Sequence, residues 1–350
     1  PPRSTLFPYT TLFRSPGDYP KVRMSPPAPL IVTSADPENR ARFVGGLTLD
    51  KPSNLSFVGI DFDISAATAE YADAVRINGG AAIEFMRCGF NGLEREDGQR
   101  WGRGLTANGG VLGLTVRNST FSRLHRGVVA GSCEQVAILD NDFTDMGSDG
   151  VNLGQVVSAG VLRNLFKGFR PAGGDHPDGV QVMTGAGGAA SVDVDISFNC
   201  VSCDEVGVQG IFVKAENATV RHRNVRVAHN VLAGAGLNAI AVGSTDNAVI
   251  TDNVCLFVPR PGAKQSNLRA ENTNGVVEGN QAMGFIPTAW GQQGGNQVIK
   301  AAAKEQLAEA EAAWMAKFRA SPALAQPIDQ VVSSFVIEGV TYDIVRRAAA

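Results

Sequence analysis

Apolar and polar residues alternate in seven short segments along the middle of the chain. Each segment begins with a polar residue and a small residue, usually glycine, and continues with apolar residues at every second position. The segments are DAVRING from Asp73, RGLTANG from Arg103, RGVVAGS from Arg126, DGVNLGQ from Asp149, DGVQVMT from Asp178, QGIFVKA from Gln209 and NAIAVGS from Asn238. A period of two is typical of a β-strand, in which alternate side chains point to opposite faces. The pattern therefore predicts one equivalent strand per repeat.

Seven asparagines recur in the same region, each just behind an apolar run. They are Asn118, Asn141, Asn164, Asn199, Asn230, Asn253 and Asn280, with spacings of 23, 23, 35, 31, 23 and 27 residues. Such a period marks a solenoid, because one turn of chain cannot bury its own apolar face and stacks on its neighbours. Repeats rich in Val, Ile and Gly favour a parallel β-helix of about nine or ten coils over a helical repeat. Each asparagine is expected to bond to the next and to satisfy backbone groups in a tight bend.

This asparagine ladder resembles that of the pectate-lyase-like superfamily, whose members carry PbH1-type repeats. The resemblance covers roughly residues 28–285, and it implies an all-β fold, a right-handed single-stranded parallel β-helix. The superfamily includes polysaccharide lyases, hydrolases, epimerases, esterases and non-catalytic adhesins. The resemblance therefore implies a fold and a polysaccharide partner, but it does not single out one activity.

The start of the chain does not follow the repeat pattern. The stretch Thr5–Ser15 reads as the in-frame translation of a common sequencing-adapter oligonucleotide. Residues 1–16 are therefore expected to be foreign to the protein and disordered, and the authentic start, with any signal peptide, is expected to be missing. The β-helix is placed in residues 17–290. A protein of this kind is expected to be secreted or periplasmic.

The end of the chain, residues 291–350, differs again. Val298–Arg319 is rich in Ala, Glu, Lys and Gln with apolar residues toward one side, which predicts an amphipathic helix. The following segment alternates like a β-hairpin about Glu338 and Gly339. Since a solenoid leaves an apolar end and unpaired strand edges, this helix and short β segment are expected to cap that end. The alternative is an oligomerisation or attachment element.

Composition narrows the set of partners. A formal net charge of −3, without a basic run or an aromatic platform, gives no reason to expect nucleic acid. The chain has no apolar run long enough to suggest a membrane partner. Of five cysteines, Cys88 and Cys255 are expected in the core, whereas Cys200 and Cys203 are close enough to bond. The oligomeric state is left open.

The polar residues that start the strands predict a column of neighbours along one sheet. In this register Asp149 and Asp178 lie one coil apart, as do Asn152 and Gln181. Two carboxylates at that separation repel, so either one takes up a proton or a cation lies between them. His176 precedes them in a glycine-rich loop that is expected to lean over the groove.

The cluster suits β-elimination from an acidic polysaccharide, which needs a neutralised substrate carboxylate, a base and a proton donor. The predicted catalytic residues are His176 or Lys214 as base, with Asp149 and Asp178. The predicted substrate-binding residues are Arg103, Arg126, Asn152 and Gln181. The residues predicted to hold Ca²⁺, if one is used, are Asp149, Asp175 and Asp178.

Other functions fit the same residues. Asp149 and Asp178 as acid and base would hydrolyse a glycosidic bond, and a uronan C5-epimerase would return the proton to the other face. A carbohydrate-binding or phage or surface adhesion solenoid would only bind sugar hydroxyls, although few aromatic residues line the predicted groove. The two aspartates also precede glycine, so each can be a turn residue without other function. His222 and His229 are expected at the surface, and His125 is a minor candidate.

Overall fold

Three long parallel sheets make up most of the part of the protein that the structure describes. The computed structural model describes residues 10–26, 29–172, 175–185, 187–203, 208–216, 219–234, 236, 238–259, 261, 265–288, 292–319, 331–337 and 340–345. In this part of the chain each coil contributes one strand to sheet A, then one to sheet B, then one to sheet C, and each strand pairs in parallel with its equivalent in the next coil. The all-β parallel β-helix that the sequence predicts is confirmed.

The strand bounds show where the coils begin and end. Four long strands bend from sheet A into sheet B: Asp73–Met86, Arg103–Arg117, Asn238–Thr251 and Asn267–Glu278. The other strands of sheet A are Val22–Met24, Leu47–Asp50, Arg126–Gly131, Val151–Gly154, Asp178–Thr184, Gln209–Ala215 and Gly284–Thr288. The other strands of sheet B are Thr10–Arg14, Leu30–Ser34, Ser53–Val58, Glu134–Leu139, Val157–Leu162, Val192–Ser197, His222–Ala228 and Gln292–Gly294.

Sheet C consists of twelve short strands in the described residues. They are Gly17–Tyr19, Ala41–Val44, Asp61–Asp63, Gly89–Asn91, Thr120–Ser122, Asp142–Thr144, Leu165–Lys167, Cys200–Ser202, Val231–Ala233, Val254–Leu256, Gln281–Ala282 and Gln297–Val298. The sequence estimate of nine or ten coils was too low, because the outer coils lack the glycine and asparagine signals. Two antiparallel pairs complete the strands: Leu93–Glu94 with Arg100–Trp101, and Val331–Ile337 with Val340–Val345.

A stack of phenylalanine rings fills the core beside sheet C. Each ring lies over the next: Phe43, Phe62, Phe90, Phe121, Phe143 and Phe166, with centroid separations of 5.7, 5.1, 4.4, 4.6 and 4.8 Å. The stack explains the glycine at the start of three sheet A strands, Gly104, Gly127 and Gly150. A Cβ at Gly150 would lie 2.4 Å from Cδ1 of Phe166, so only glycine lets the backbone pass the ring.

The asparagine ladder lies buried in the bend between sheets B and C. The backbone N–H of Asn164 donates to Oδ1 of Asn199 at 2.9 Å, and the Asn164 side chain donates to the Ile138 carbonyl at 2.9 Å. The same pattern continues through Asn280 to Asn296. The repeat pattern of the sequence had not identified Asn296.

Asn118, in contrast, was wrongly assigned to the ladder. The residue in register with Asn141 is Ser119, whose backbone N–H donates to Oδ1 of Asn141 at 3.0 Å. Asn118 occupies the bend position before it, with φ of 49°, where Asp140 has φ of 57°. Asparagine tolerates this left-handed conformation, which is why it occurs there.

The predicted C-terminal helix is confirmed over Lys304–Phe318, but it lies along the side of sheet C rather than over an open end. Trp314 packs on Leu165 and Cys200, and its Nε1 donates to the Phe198 carbonyl at 2.8 Å. Sheet C has outward-facing apolar side chains in these coils, and their burial favours the lateral position. The β-hairpin is present, but its predicted turn at Glu338 and Gly339 lies outside the described residues. No helix in the described ranges is long and apolar enough to cross a membrane.

Part of the segment that was expected to be disordered is ordered. Thr10–Arg14 forms a strand of sheet B that pairs in parallel with Leu30–Ser34. The backbone N–H of Ala35 also donates to the carbonyl of Arg14 at 2.8 Å. The first coil offers unpaired edge groups, and any extended segment that pairs with them satisfies those groups. The foreign origin of residues 1–16 stays a prediction.

The five cysteines are free and buried, so the core placement of Cys88 and Cys255 holds and the Cys200–Cys203 bond is not formed. His222 was wrongly placed at the surface. It is fully buried, and its Nδ1 accepts a hydrogen bond from the backbone of Ser191 at 3.0 Å. Burial lowers the pKa of His222, which keeps the imidazole neutral and suited to this structural role.

Candidate functional site

The candidate site lies where the chain passes from sheet C to sheet A. Most of the long connections of the solenoid are here, among them residues 64–72, 92–102 and 168–177. In the same coils the chain passes from sheet B to sheet C in two residues, as at Asp140 and Asn141. Loops held by a rigid scaffold are the usual place for binding and catalytic residues. The starts of the sheet A strands and these loops therefore form one surface, which we call the A corner.

The register of the predicted column is confirmed. Arg103 pairs with Asp73 on one side and with Arg126 on the other, and Asp178 pairs with Gln209. Asn152 lies directly beside Gln181. Residues far apart in the sequence thus meet at intervals of about 4.8 Å along the sheet.

The two aspartates form a closed hydrogen-bonded group with the two amides. Nδ2 of Asn152 donates to Oδ2 of Asp149 at 3.0 Å and to Oε1 of Gln181 at 2.6 Å. Nε2 of Gln181 donates to Oδ2 of Asp178 at 2.8 Å, and the backbone N–H of Asp178 donates to Oδ1 of Asp149 at 3.3 Å. Asp149 is only 2% exposed and Asp178 only 1%. The aspartates therefore anchor the surface and do not themselves reach far into the groove.

The two carboxyl groups have different electrostatic surroundings. Burial raises the pKa of Asp149, while the Asn152 hydrogen bond and the charge of Arg126 oppose the rise. Burial and the neighbouring charge of Asp149 raise the pKa of Asp178 well above its usual range. Oδ1 of Asp178 is buried and has no hydrogen-bond partner among the described residues. We therefore assign the shared proton to Asp178 and the negative charge to Asp149.

The carboxylates do not form a set that fits Ca²⁺. This ion takes about six to eight oxygen ligands, whereas the Asp149 and Asp178 oxygens here accept from amide groups, and Arg126 lies against Asp149. Asp175 faces His125 instead of the pair. No group of three or more potential ligands occurs in the described residues. The reaction considered below is therefore derived without a metal.

Arg126 is the most accessible cation of the column. Its Nε lies 3.4 Å from Oδ2 of Asp149, an ion pair without hydrogen-bond geometry, and its side chain is 35% exposed. Arg103, which was also predicted to bind substrate, is tied to Asp73 by two hydrogen bonds of 2.8 and 3.3 Å. Its Nη2 donates to the Tyr71 carbonyl at 3.0 Å. Arg103 therefore holds the loop of Tyr71 in place, whereas Arg126 is the more exposed of the two.

Tyr71 and His125 complete the A corner, and the sequence did not single out Tyr71. The rings meet edge to face at 5.5 Å, and Nε2 of His125 lies 3.4 Å from Oδ2 of Asp175. Tyr71 is 50% exposed. A hydrogen bond to Glu70 and burial raise the pKa of Tyr71, the charges of Glu70 and Asp175 add to the rise, and only Arg126 opposes it, so the phenol carries its proton. Tyr71 was missed because loop residues have no periodicity. The one signal in the sequence for this part of the site was that His125 precedes Arg126.

The two predicted bases lie in different places. His176 is exposed and stands two residues before Asp178, at the rim of the A corner, although Gly173 and Gly174 of its loop lie outside the described residues. Lys214 is also exposed, but it is five residues along its strand from Gln209, which is about 16 Å at the usual rise. His176 thus stays a predicted base in the loop that leads to Asp178, whereas Lys214 lies away from the column.

Known structures that resemble this chain differ widely in function. The adhesin PfbA of Streptococcus pneumoniae is 12% identical with a TM-score of 0.44, over 82% of this chain and 89% of that one. The periplasmic alginate epimerase AlgG is 11% identical with a TM-score of 0.46, over 81% and 78%. DFA-IIIase from Arthrobacter chlorophenolicus A6 is 11% identical with a TM-score of 0.44, over 79% and 85%. No family model and no curated protein sequence matches the chain. Identity at this level assigns none of these activities to it.

Proposed function

We propose that the protein cleaves an acidic polysaccharide by β-elimination at the A corner. The observation that supports this proposal is the partly exposed guanidinium of Arg126 near the protonated phenol of Tyr71. His176, exposed in the loop that leads to Asp178, is the base we assign to the same surface. These are the three groups that elimination from a uronate requires. A polymer of this kind is met outside the cytoplasm, which fits the expected secretion.

The roles follow from chemistry and placement. Arg126 binds the carboxylate of the uronate and stabilises the charge that develops on it when the C5 proton leaves. His176 takes this proton, and the electron pair of the C5–H bond forms the C4–C5 double bond. The C4–O4 bond breaks, and O4 takes the proton of Tyr71. His176 and Tyr71 then return to their starting states by exchange with solvent.

Asp149 and Asp178 act as positioning residues in this scheme. Asp149 holds Arg126, and the amides of Asn152 and Gln181 fix the two carboxyl groups. His125 and Asp175 hold Tyr71 from the other side. A preorganised set of this kind loses little free energy to rearrangement when substrate binds.

Hydrolysis is the second candidate, and one observation favours it. Asp149 and Asp178 are neighbouring carboxyl groups with different pKa shifts, the arrangement of an acid and a base in glycosidases. Their burial argues against direct contact with a glycosidic oxygen. Epimerisation needs the same three groups as elimination, with the proton returned to the opposite face.

The test is a panel of alginate, pectate and glucuronans incubated with the purified protein. Elimination produces the ultraviolet absorbance of an unsaturated uronate at the new chain end, and we expect this result. Reducing ends without that absorbance would mean hydrolysis, and altered uronate composition without cleavage would mean epimerisation. Binding with no change of the polymer would leave a binding module. His176→Ala is expected to abolish turnover with an unchanged thermal midpoint, because the side chain is exposed; an unchanged rate would remove His176 from the mechanism.

A further inference from the structure

Apart from the A corner, a pocket lies on the outer face of sheet A, two coils beyond Asp178. It measures about 90 Å³ and opens to solvent on one side. It exists because two outward positions of strand Asn238–Thr251 have small or no side chains. Ala241 pairs with Phe212 of the preceding coil, and Gly243 lies beside Lys214. We call this depression the distal pocket.

Two polar atoms in the distal pocket have no partner among the described residues. Nη2 of Arg269 pairs with Glu271, but Nε of the same guanidinium is buried and unbonded. Nδ2 of Asn238 donates to Oε1 of Gln209 at 3.0 Å, while its Oδ1 is buried and unbonded. A buried donor or acceptor without a partner is unfavourable, so both atoms favour a ligand that supplies one acceptor and one donor.

The remaining walls define the ligand further. The Lys214 side chain is exposed, with its stem over Gly243, and makes no ion pair with a described residue. Phe212 supplies an apolar wall suited to the C–H face of a sugar ring. A carboxylate accepts from Arg269 and Lys214, and a neighbouring hydroxyl donates to Asn238. A uronate unit carries both groups on one edge, and the pocket volume suits that edge.

We propose that the distal pocket binds the carboxylate-bearing edge of a uronate unit about four sugars away from the bond cleaved at the A corner. This extends the proposed function, since it assumes a uronan that lies along sheet A. The central strand of the pocket is four coils from Arg126, about 19 Å along the sheet. An extended pyranose unit has a length comparable to the rise of one coil, so successive sugars follow successive coils. Oligomers of two sugars are too short to reach both places.

The test is calorimetric binding of saturated oligogalacturonates and oligoalginates of two to six sugars, which needs no turnover. Lys214→Gln is expected to weaken binding of the hexamers about tenfold and to leave the dimers unchanged, because only long chains reach this charge-assisted contact. Gly243→Leu is a second variant that fills the pocket. A Cβ at position 243 meets nothing closer than 3.5 Å, so the fold accepts it. The matched control is Arg223→Gln, which removes one exposed positive charge from sheet B.

The outcomes separate this proposal from the proposed function. If hexamer binding falls with Lys214→Gln and Gly243→Leu but no polymer is cleaved, the distal pocket stands and the lyase fails. If the polymer is cleaved while both variants bind hexamers like the wild type, the lyase stands and the distal pocket is overturned. Equal weakening of dimers and hexamers, or no binding of any uronan by the wild type, also overturns it.

Discussion

At the scale of single residues, the two buried aspartates differ in one interaction partner. Asp149 has the guanidinium of Arg126 beside it, whereas Asp178 is bonded only by neutral groups and has one free oxygen. A buried carboxyl group without a cation keeps its proton, because the charged form loses its hydration and faces a neighbouring negative charge. The two acids thus carry one negative charge between them, on Asp149, and Arg126 lies beside it.

This assignment predicts how Asp178 affects stability at different pH values. The pKa of Asp178 is higher in the folded chain than in the unfolded one, so protonation favours the folded state. The advantage is present below the unfolded pKa of about 3.9 and is lost as the pH rises through the raised folded pKa. Asp178→Asn removes the titration, and we expect its thermal midpoint relative to wild type to rise by a few degrees as the pH increases from about 4 through the raised folded pKa.

The control for this measurement is Glu216→Gln, which removes an exposed carboxylate on the next coil. Its difference from wild type is expected to stay constant over the same pH range. A parallel pH profile for Asp178→Asn and wild type would show that Asp178 is ionised in the folded protein, contrary to the assignment.

At the scale of elements, the asparagine ladder stabilises the bend of every coil that carries it. Asn199 accepts from the backbone of Asn164 and donates to the Val161 carbonyl at 2.8 Å, both in the core. We expect Asn199→Asp to cost about 3 kcal/mol or more of unfolding free energy, since it removes a donor and buries a charge. Asn118→Asp makes the same chemical change one position outside the ladder and is expected to cost less than about 0.5 kcal/mol. Denaturant titration measures both, and equal costs would contradict the assigned register.

The C-terminal helix makes a second prediction at this scale. Trp314→Ala removes the buried ring that covers Leu165 and Cys200, and a cost of about 3 kcal/mol is expected. Met315→Ala, on the exposed neighbouring position, is the control and is expected to have little effect. Hydrogen exchange of Leu165–Lys167 and Cys200–Ser202 should accelerate in the first variant only. Unchanged exchange there would mean that the helix does not depend on this contact in solution.

The sequence predicted these elements unequally, for physical reasons. The period of two fixed which side chains of sheet A share a column, and pairs such as Asn152 with Gln181 follow the prediction. The bend positions were less certain, because both the left-handed residue and the ladder residue can be asparagine, and Asn118 was misassigned. Tyr71 was missed, since a loop residue has no period and its neighbours are known only once the coils are stacked.

At the scale of the whole molecule, stacking converts sequence separation into a short distance along the sheet. Tyr71 and Arg126 come from different coils, yet both face the A corner. The helix lies on the outer face of sheet C, against Leu165 and Cys200, so it stabilises these coils from a different face than sheet A. The same stacking places Asn238, at one edge of the distal pocket, in the polar column, and the proposed polymer would contact both places.

The most direct test of the account is a double-mutant cycle on Tyr71→Phe and Arg126→Gln, measured as kcat/KM on whichever uronan the protein cleaves. If the two side chains act on one transition state, their effects are not additive, and we expect a coupling of about 1 kcal/mol or more. The pair Tyr71→Phe and Arg223→Gln, on different faces, is the control and should be additive. Additive effects for Tyr71 and Arg126, or full activity of either single variant, would contradict a shared site at the A corner.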